Sequence, residues 1–261
     1  MALADRFDGL LVDLDGVVWI GRDAVPGAPE TLRTLLEADK RIVFITNNPG
    51  KPPAVYARRL QEIGVLVGPE QVVTAGMVAV RMANEAAGND GSAFVIGAPP
   101  LKEMIEASGV RLCHWEEAPE ASVVVVSGHR EFSYRELMAA KQALDRGAPL
   151  IATSRDPTMP FPGGELPGTG AVLAAVETAS GRRAEIAGKP ERHLFEIARK
   201  ALGECESVAM IGDRVSSDIA GGRAAELETI LVLSGTTTPE QAREADPRPD
   251  FVLEDLRGLL A

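Results

Sequence analysis

Gly9-Leu10-Leu11-Val12-Asp13-Leu14-Asp15-Gly16 is the stretch of the chain that decides the fold. Its apolar part, residues 9–14, is short and stops at acidic residues and a glycine, which is typical of a buried strand. A second apolar run, residues 41–46, ends in Asn47-Asn48-Pro49-Gly50, which is loop chemistry. Apolar residues at helical spacing predict helices over 26–40 and 53–63. The order strand, helix, strand, helix indicates parallel strands joined by crossover helices.

The same alternation returns near the end of the chain, and the middle of the chain has an alternation of its own. The predicted later elements are strands 207–211, 228–233 and 251–253 and a helix over 218–225. The predicted middle elements are strands 93–96, 123–126 and 150–152, helices 100–108, 133–146 and 171–179, and a Pro/Gly-rich loop over 156–170. We therefore predict a doubly wound, mostly parallel α/β core domain, residues 1–76 and 184–261, with a smaller α/β cap domain inserted at 77–183.

The composition excludes several classes of function. The formal net charge is −11, from 38 acidic and 27 basic side chains, whereas nucleic acids and anionic membranes need a basic face. Two separated cysteines, Cys113 and Cys205, do not suggest a disulfide framework or a zinc site. Residues 1–8 lack the basic and apolar regions of a signal peptide, and no apolar run would span a bilayer. A cytoplasmic protein is expected.

Polar side chains follow three predicted strands of the core domain. Asp13 and Asp15 end the first, Thr46, Asn47 and Asn48 end the second, and Asp213 follows the strand 207–211. Ligands of an open parallel sheet bind beyond the carboxyl ends of its strands, so these groups meet if the strands are neighbours.

Three carboxylates in one place need a cation between them, and Mg²⁺ suits an all-oxygen site. With Lys189, which precedes a predicted helix, the metal would make the site prefer an anion. Such a site suits phosphoryl transfer. One aspartate of the Asp13/Asp15 pair can attack phosphorus, and the other can protonate the leaving oxygen and later deprotonate water. The second role requires the pKa of Asp15 to be raised relative to that of Asp13.

Four segments, in order, resemble the sequence motifs of the haloacid dehalogenase superfamily. They are Asp13-Leu14-Asp15-Gly16-Val17-Val18-Trp19, Thr46-Asn47-Asn48, Lys189-Pro190 and Gly212-Asp213-Arg214-Val215-Ser216-Ser217-Asp218. The Val-Val-Trp after the first aspartates, the Thr-Asn-Asn triplet and the large insert are similar to the subgroup of NagD-type phosphatases and 4-nitrophenylphosphatases, class IIA with a C2-type cap. Segments 152–156 and 167–171 also look like that subgroup's cap.

The resemblance implies a role for each matching residue. Asp13 would be the nucleophile and a metal ligand, Asp15 the general acid/base with its backbone carbonyl on the metal, and Asp213 a direct metal ligand. Asp218 would support the metal site. The phosphoryl group would be held by Thr46, Asn47, Asn48 and Lys189.

Some positions depart from the family pattern or have a second interpretation. Many relatives carry Asp-Thr at Ser216-Ser217 and Asn at Ser154. Asn48 is as well explained by shaping its loop as by touching substrate, and Asp218 by capping the following helix.

Four further positions are open in the same way. For Trp19 the safer interpretation is packing in the core. His129 or Arg130, after the strand 123–126, is a weaker candidate for substrate contact. The segment 159–162 is either an apolar lip over the leaving group or a rigid cap loop.

The predicted function is Mg²⁺-dependent hydrolysis of small phosphate monoesters through an aspartyl phosphate. Sugar phosphates, glycerol phosphate, phosphoglycolate, nucleoside monophosphates and 4-nitrophenyl phosphate are the expected kinds of substrate. A phosphotransferase such as a phosphomutase, and a non-catalytic regulatory binding protein, are the alternatives. A dehalogenase would lack the second acid, which Asp15 supplies. The expected partner is the small phosphate monoester, bound by a monomer or a homodimer, with no nucleic acid and no membrane.

Overall fold

Strand Gly9–Asp13 lies inside a six-stranded parallel sheet in the computed structural model, which describes residues 2–161 and 164–261. The strands in chain order are β1 (Gly9–Asp13), β2 (Trp19–Ile20), β3 (Asp23–Ala24), β4 (Arg41–Thr46), β5 (Val72–Thr74), β6 (Ser92–Ile96), β7 (Arg111–Leu112), β8 (Val123–Val126), β9 (Leu150–Ala152), β10 (Thr158–Phe161), β11 (Gly164–Pro167), β12 (Glu185–Ile186), β13 (Val208–Gly212), β14 (Glu228–Val232) and β15 (Phe251–Leu253). The six-stranded sheet has the order β15-β14-β13-β1-β4-β5, and its neighbouring strands are parallel.

Nine α-helices lie in the described part of the chain. They are α1 (Ala28–Glu37), α2 (Pro53–Glu62), α3 (Ala75–Ala87), α4 (Pro99–Ala107), α5 (Tyr134–Asp145), α6 (Thr169–Ser180), α7 (Arg192–Leu202), α8 (Ala220–Ala224) and α9 (Pro239–Arg243). Their starts follow local chemistry. Thr74 caps α3 by accepting from the Met77 N–H, and Ser133 and Glu136 form a capping box at α5.

The second sheet has five parallel strands in the order β12-β9-β8-β6-β7. Successive side chains of a strand point to opposite faces, so Leu10 and Val12 pack in one apolar cluster and Leu11 in another. The cluster of Leu11 also contains Val123 and Val125 of the second sheet, and α3 contributes residues to it. The two sheets therefore share buried apolar surface.

The predicted α/β class with a mostly parallel sheet is confirmed. Several elements differ from the sequence prediction. β5 and α3 were not predicted, because three residues give little periodicity and α3 is alanine-rich. The predicted loop 156–170 contains the antiparallel hairpin β10–β11, since prolines are tolerated in an isolated two-stranded ribbon. The predicted helix 218–225 is wrong at its start: a π-helical turn, Val215–Ile219, precedes α8.

Within residues 2–161 and 164–261, no helix has both the length and the apolar character that a bilayer crossing requires.

Candidate active site

The carboxyl ends of three adjacent strands form the floor of the site. β1 lies between β13 and β4 and ends at Asp13, while β4 ends at Thr46 and β13 runs into Asp213. The three strands are neighbours, so the condition set by the sequence is met, and the structure brings their terminal side chains together as the rule for open parallel sheets predicts.

A buried cluster of three aspartates and one lysine occupies this floor. One carboxylate oxygen from each of Asp13, Asp213 and Asp218 lies within 4.8 Å of the other two. Lys189 Nζ lies 2.7 Å from Asp13 Oδ1 and 2.6 Å from Asp218 Oδ1, and only 2% of the lysine surface is exposed. One cation faces three carboxylates, so the ionised cluster carries a net charge of −2. Its oxygen-only, buried donor set fits a hard divalent cation such as Mg²⁺.

The excess of negative charge appears in the pKa values. Burial raises the pKa of Asp13 well above its usual range, and nearby Asp218 and Asp213 add to the rise while Lys189 opposes it. Burial and then Asp218 raise the pKa of Asp213 to about 6, against hydrogen bonds from Thr236. Burial lowers the pKa of Lys189, but Asp13 and Asp218 raise it more, so the net shift is upward and the lysine stays charged.

Two glycines let Asp213 lie close to the backbone. Gly16 has φ +91°, and a Cβ built there would overlap the Asp213 carboxylate. Gly235 lies in the loop after β14, and a Cβ built there would also overlap the Asp213 carboxylate. Asp213 Oδ2 accepts the Thr236 N–H at 2.6 Å, next to Gly235. Both loops therefore have to be free of a Cβ where they meet the carboxylate.

Asp15 is held at the edge of the cluster by two neighbours. The indole Nε1–H of Trp19 donates to Asp15 Oδ1 at 3.1 Å, and the Thr46 hydroxyl lies 3.5 Å from Asp15 Oδ2. Thr46 also accepts the Asn48 backbone N–H at 3.0 Å. The expectation that Trp19 packs in the core is correct, since 1% of it is exposed, but its one polar atom faces the site.

Asn47 contacts the backbone of Lys189 rather than pointing freely into the site. Its Oδ1 accepts the Lys189 N–H at 2.7 Å, and its Nδ2 donates to the Lys189 carbonyl at 3.0 Å. Nδ2 also donates to Asp156 Oδ2 at 2.7 Å. These contacts use the side-chain acceptor and both donor hydrogens and hold Asn47 against the Lys189 backbone, and phosphate binding by Asn47 stays a prediction.

The hydrogen bonds bear on the two interpretations of Asn48, loop shaping or substrate contact, and of Asp218, metal support or helix capping. Asn48 Oδ1 accepts the Gly50 N–H at 3.0 Å, which is the loop-shaping role. Asp218 lies inside the π-helical turn and accepts the Arg214 N–H through Oδ2, so it does not cap the helix that follows. Of the two serines in this motif, Ser216 is exposed, and Ser217 is buried and lines the site.

A cavity of about 960 Å³ opens above the cluster and is walled by both sheets. Its core lining includes Asp13, Asp15, Thr46, Asn47, Asn48, Lys189, Asp213, Arg214, Ser217 and Thr236. Its cap lining comes from loops after β6, β8 and β9 and from the hairpin, and includes Ala98, Ser127, His129, Arg130, Ser154, Asp156, Met159 and Leu166. The carboxyl ends of two parallel sheets therefore face one cavity.

The cap candidates can now be placed. His129 and Arg130 both line the cavity; His129 lies 3.2 Å from Glu136 and 3.5 Å from Glu131, with 6% of its side chain exposed. Met159 lines the cavity as well, while Pro162 of the predicted lip lies outside the described residues.

Asp156 and Thr236 are among the polar lining residues that the sequence did not assign to the site. Asp156 could have been found as the acidic residue closing the motif-like segment 152–156, whereas Thr236 carries no signal in the sequence.

Comparison with known proteins gives a consistent family. A family model described as haloacid dehalogenase-like hydrolase matches residues 10–111, and a related model of the same kind matches residues 186–259. The chain is 36% identical over 294 residues to human glycerol-3-phosphate phosphatase, covering 99% of this chain and 92% of that protein. It is 34% identical to human chronophin over 273 residues, covering 97% and 92%.

Solved structures agree. Glycerol phosphate phosphatase from Mycobacterium tuberculosis, in complex with magnesium, matches with a TM-score of 0.88 at 32% identity, over 100% of this chain and 78% of that one. A 4-nitrophenylphosphatase from Thermotoga maritima matches with a TM-score of 0.85 at 32% identity, over 100% and 98%. With relatives this similar over nearly its whole length, the chain belongs to the haloacid dehalogenase-like hydrolases and is a phosphatase of that family.

Proposed function

We propose that the protein hydrolyses small phosphate monoesters, with Mg²⁺, through an aspartyl phosphate formed on Asp13. The observation that carries the proposal is the pairing of buried Lys189 with Asp13 at 2.7 Å on the floor of the cavity, beside two more aspartates. A nucleophile, a fixed cation and a set of oxygen ligands in one enclosed place are the parts that phosphoryl transfer needs.

Asp13, Asp213 and the Asp15 carbonyl are the proposed metal ligands. Asp218 is assigned a supporting role, because its oxygens already contact Lys189 Nζ and the Arg214 N–H. When bound, Mg²⁺ would neutralise the carboxylates and the phosphoryl oxygens. The magnesium complex of the Mycobacterium tuberculosis phosphatase supports the choice of metal.

The protein groups then perform two transfers. In the first, an oxygen of Asp13 bonds to phosphorus as the bond to the leaving oxygen breaks, and Asp15 gives that oxygen a proton. In the second, Asp15 takes a proton from a water molecule as the water oxygen bonds to phosphorus and the bond to Asp13 breaks. Lys189 and the Thr46 hydroxyl hold the transferring group, and Asn47 keeps Lys189 in place.

The position of the cap loops supports the proposed substrate class. These loops line the cavity above the reacting groups, which favours a small leaving group and limits the access of bulk water. Glycerol phosphate is the first candidate because the matched relatives include glycerol phosphate phosphatases. Phosphoglycolate, sugar phosphates, nucleoside monophosphates and 4-nitrophenyl phosphate complete the proposed set.

Phosphate release from this panel, measured with and without Mg²⁺ and with EDTA, tests the proposal. We expect release that depends on Mg²⁺ and disappears in Asp13→Asn, which should remain folded by circular dichroism. Full activity in EDTA, or near-normal turnover by Asp13→Asn, would contradict the proposed metal site or nucleophile. Product analysis with an added sugar acceptor separates hydrolysis from transfer to a sugar.

A cytoplasmic location and a homodimeric state complete the proposal. Fractionation of cells that express a tagged chain tests the location. Sedimentation of the purified protein tests the state, and a mass near the 27.6 kDa of one chain would contradict the homodimer.

A further inference from the structure

Trp19 is the largest fully buried side chain of the described residues, yet its indole N–H reaches the active site. The donor atom, Nε1, lies 3.1 Å from Asp15 Oδ1. Trp19 follows Asp15 by four residues, so one tight segment of chain carries both the proposed acid/base and its hydrogen-bond donor. Buried indole groups usually find such a partner, but the partner here is a group proposed to move a proton.

The backbone of this segment holds Trp19 in one place. The Trp19 N–H donates to the Leu14 carbonyl at 3.2 Å, and the Trp19 carbonyl accepts the Gly16 N–H at 2.7 Å. Trp19 also begins β2, which pairs with β3. The indole therefore rests on a turn that is tied to the end of β1, directly beside Asp13.

Helix α2 supports the ring through two residues on one face. Arg59 lies over the indole with its guanidinium 3.9 Å from the ring centroid, and it donates to the Gly21 carbonyl at 2.6 Å. Tyr56 lies nearly parallel to the ring, at 6.5 Å between centroids. The cation–π attraction between Arg59 and the ring adds to the apolar packing that holds the indole in place. Trp19 is thus rigid on the side away from Asp15 as well.

We infer that Trp19 is a positioning residue that decides which oxygen of Asp15 exchanges the proton with substrate. The inference rests on the proposed function, in which Asp15 is the acid/base. An indole N–H is a donor and never an acceptor, so the oxygen facing it, Oδ1, must accept. The proton that Asp15 gives to the leaving oxygen therefore sits on Oδ2, which faces the Thr46 hydroxyl at 3.5 Å within the lining of the cavity.

Trp19→Phe tests the inference because it keeps an aromatic ring and removes the N–H. The measured quantity is kcat/KM, which reports the step in which the leaving group departs, for two kinds of substrate. An alkyl phosphate that the wild-type enzyme hydrolyses, such as glycerol 3-phosphate, needs a proton on its leaving oxygen. 4-Nitrophenyl phosphate does not, since 4-nitrophenolate is a stable anion. We expect kcat/KM for the alkyl phosphate to fall about tenfold or more, and that for 4-nitrophenyl phosphate to change little.

The second tryptophan of the chain provides a matched control. Trp115 lies in the cap, is partly buried and is contacted by Arg135, outside the lining of the cavity. Trp115→Phe should leave kcat/KM for both substrates unchanged, and it makes Trp19 the sole tryptophan. Biosynthetic replacement of that tryptophan by benzothienylalanine, which has sulfur in place of the N–H, then removes the donor without changing the shape of the ring. If Trp19→Phe does not fold, kcat/KM of this analogue-containing protein for the two substrates tests the inference instead.

An equal fall for both substrates, or no fall for either, in the folded variant would overturn the inference. The proposed function fails by a different result: hydrolysis of the alkyl phosphate by Asp15→Asn at the wild-type rate would remove Asp15 from the chemistry. Activity that depends on Asp15 but responds equally to both substrates in Trp19→Phe would refute the positioning role alone.

Discussion

Asn47 binds Lys189 by both ends of its backbone: the amide oxygen accepts the lysine N–H at 2.7 Å, and the amide nitrogen donates to the lysine carbonyl at 3.0 Å. The two residues are 142 positions apart in the chain. The contact joins the loop after β4 to the segment that enters α7, and so fixes the direction in which the lysine side chain leaves the backbone.

Replacement of Asn47 by alanine should therefore lower kcat more than its distance from the reacting atoms suggests. Displacement of Lys189 by a fraction of an ångström weakens its contacts with Asp13 and the phosphoryl group, and we expect a loss of about tenfold to a hundredfold in kcat. Initial-rate kinetics with Mg²⁺ measure it. Asn84→Ala, which removes an amide on α3 that donates to the Val80 carbonyl of the same helix, is the matched control. An unchanged kcat in Asn47→Ala would show that Lys189 does not need this support.

Asp213→Asn should make the metal-free protein more stable. Because the pKa of Asp213 in the folded chain is about 6, above its ordinary 3.8, its contribution to stability is full below pH 3.8 and is lost as pH rises through about 6. Removal of the charge at about pH 8 should raise the free energy of unfolding by on the order of 2 kcal/mol. Denaturant unfolding in EDTA measures this, with exposed Asp90→Asn as the control. A lower free energy of unfolding for Asp213→Asn than for wild type would contradict the excess of negative charge in the cluster of three aspartates and Lys189.

Addition of Mg²⁺ should make the wild-type protein more stable than Asp213→Asn, the reverse of their order without metal. A ligand that binds only the folded state stabilises it by about 2.7 kcal/mol at a hundred times its Kd. Wild type should gain this stability and Asp213→Asn should not, because a proposed ligand is missing. Thermal unfolding over a Mg²⁺ titration gives both curves. An equal rise of Tm in the two proteins would place the metal elsewhere.

Gly235→Ala should weaken metal binding without replacing a charged group. The added Cβ overlaps the Asp213 carboxylate, so either the loop or the carboxylate must move. We expect a smaller rise of Tm with Mg²⁺ and a loss of kcat, with a destabilisation of about 1–3 kcal/mol from the crowding. A wild-type response to Mg²⁺ would mean that the loop moves freely away from Asp213.

Glu177→Gln should destabilise the cap in a pH-dependent way. Glu177 accepts hydrogen bonds from Nη1 and Nη2 of Arg155, at 3.0 and 2.8 Å, and also from the Arg183 guanidinium and the Ala184 N–H. Hydrogen bonds from Arg155 first, and then from Ala184 and Arg183, lower the pKa of Glu177 from 4.5 to about 2. Its contribution is therefore present above pH 4.5 and is lost as pH falls through about 2.

We expect Glu177→Gln to cost about 1–2 kcal/mol at neutral pH, because solvent around the exposed arginines reduces the full effect. The difference from wild type should shrink as the pH falls below 4.5. Denaturant unfolding at several pH values measures it. Glu62→Gln, which removes an exposed helical ion pair with Arg58, should change little at any pH. A pH-independent loss in Glu177→Gln would show that shape, rather than charge, matters there.

The sequence predicted the parts of the site that lie at strand ends and missed those that depend on long-range contacts. Asp13, Thr46 and Asp213 each end an apolar run, so burial and periodicity locate them. The partners of Asn47 are distant in the chain, so no local sequence pattern predicts them. Trp19 was expected in the core because apolar character describes most of its surface, and only the fold shows where its N–H points.

The cap sheet and the proposed catalytic lysine are joined by a very short piece of chain. β12 completes the cap sheet by pairing with β9, and Lys189 follows Ile186 by three residues. We therefore expect repacking of the cap interior to shift the lysine, even when the altered residues do not line the cavity. A foreign cap grafted onto this core should keep β12 and the spacing to Lys189 unchanged, because the junction carries the lysine proposed to hold the phosphoryl group.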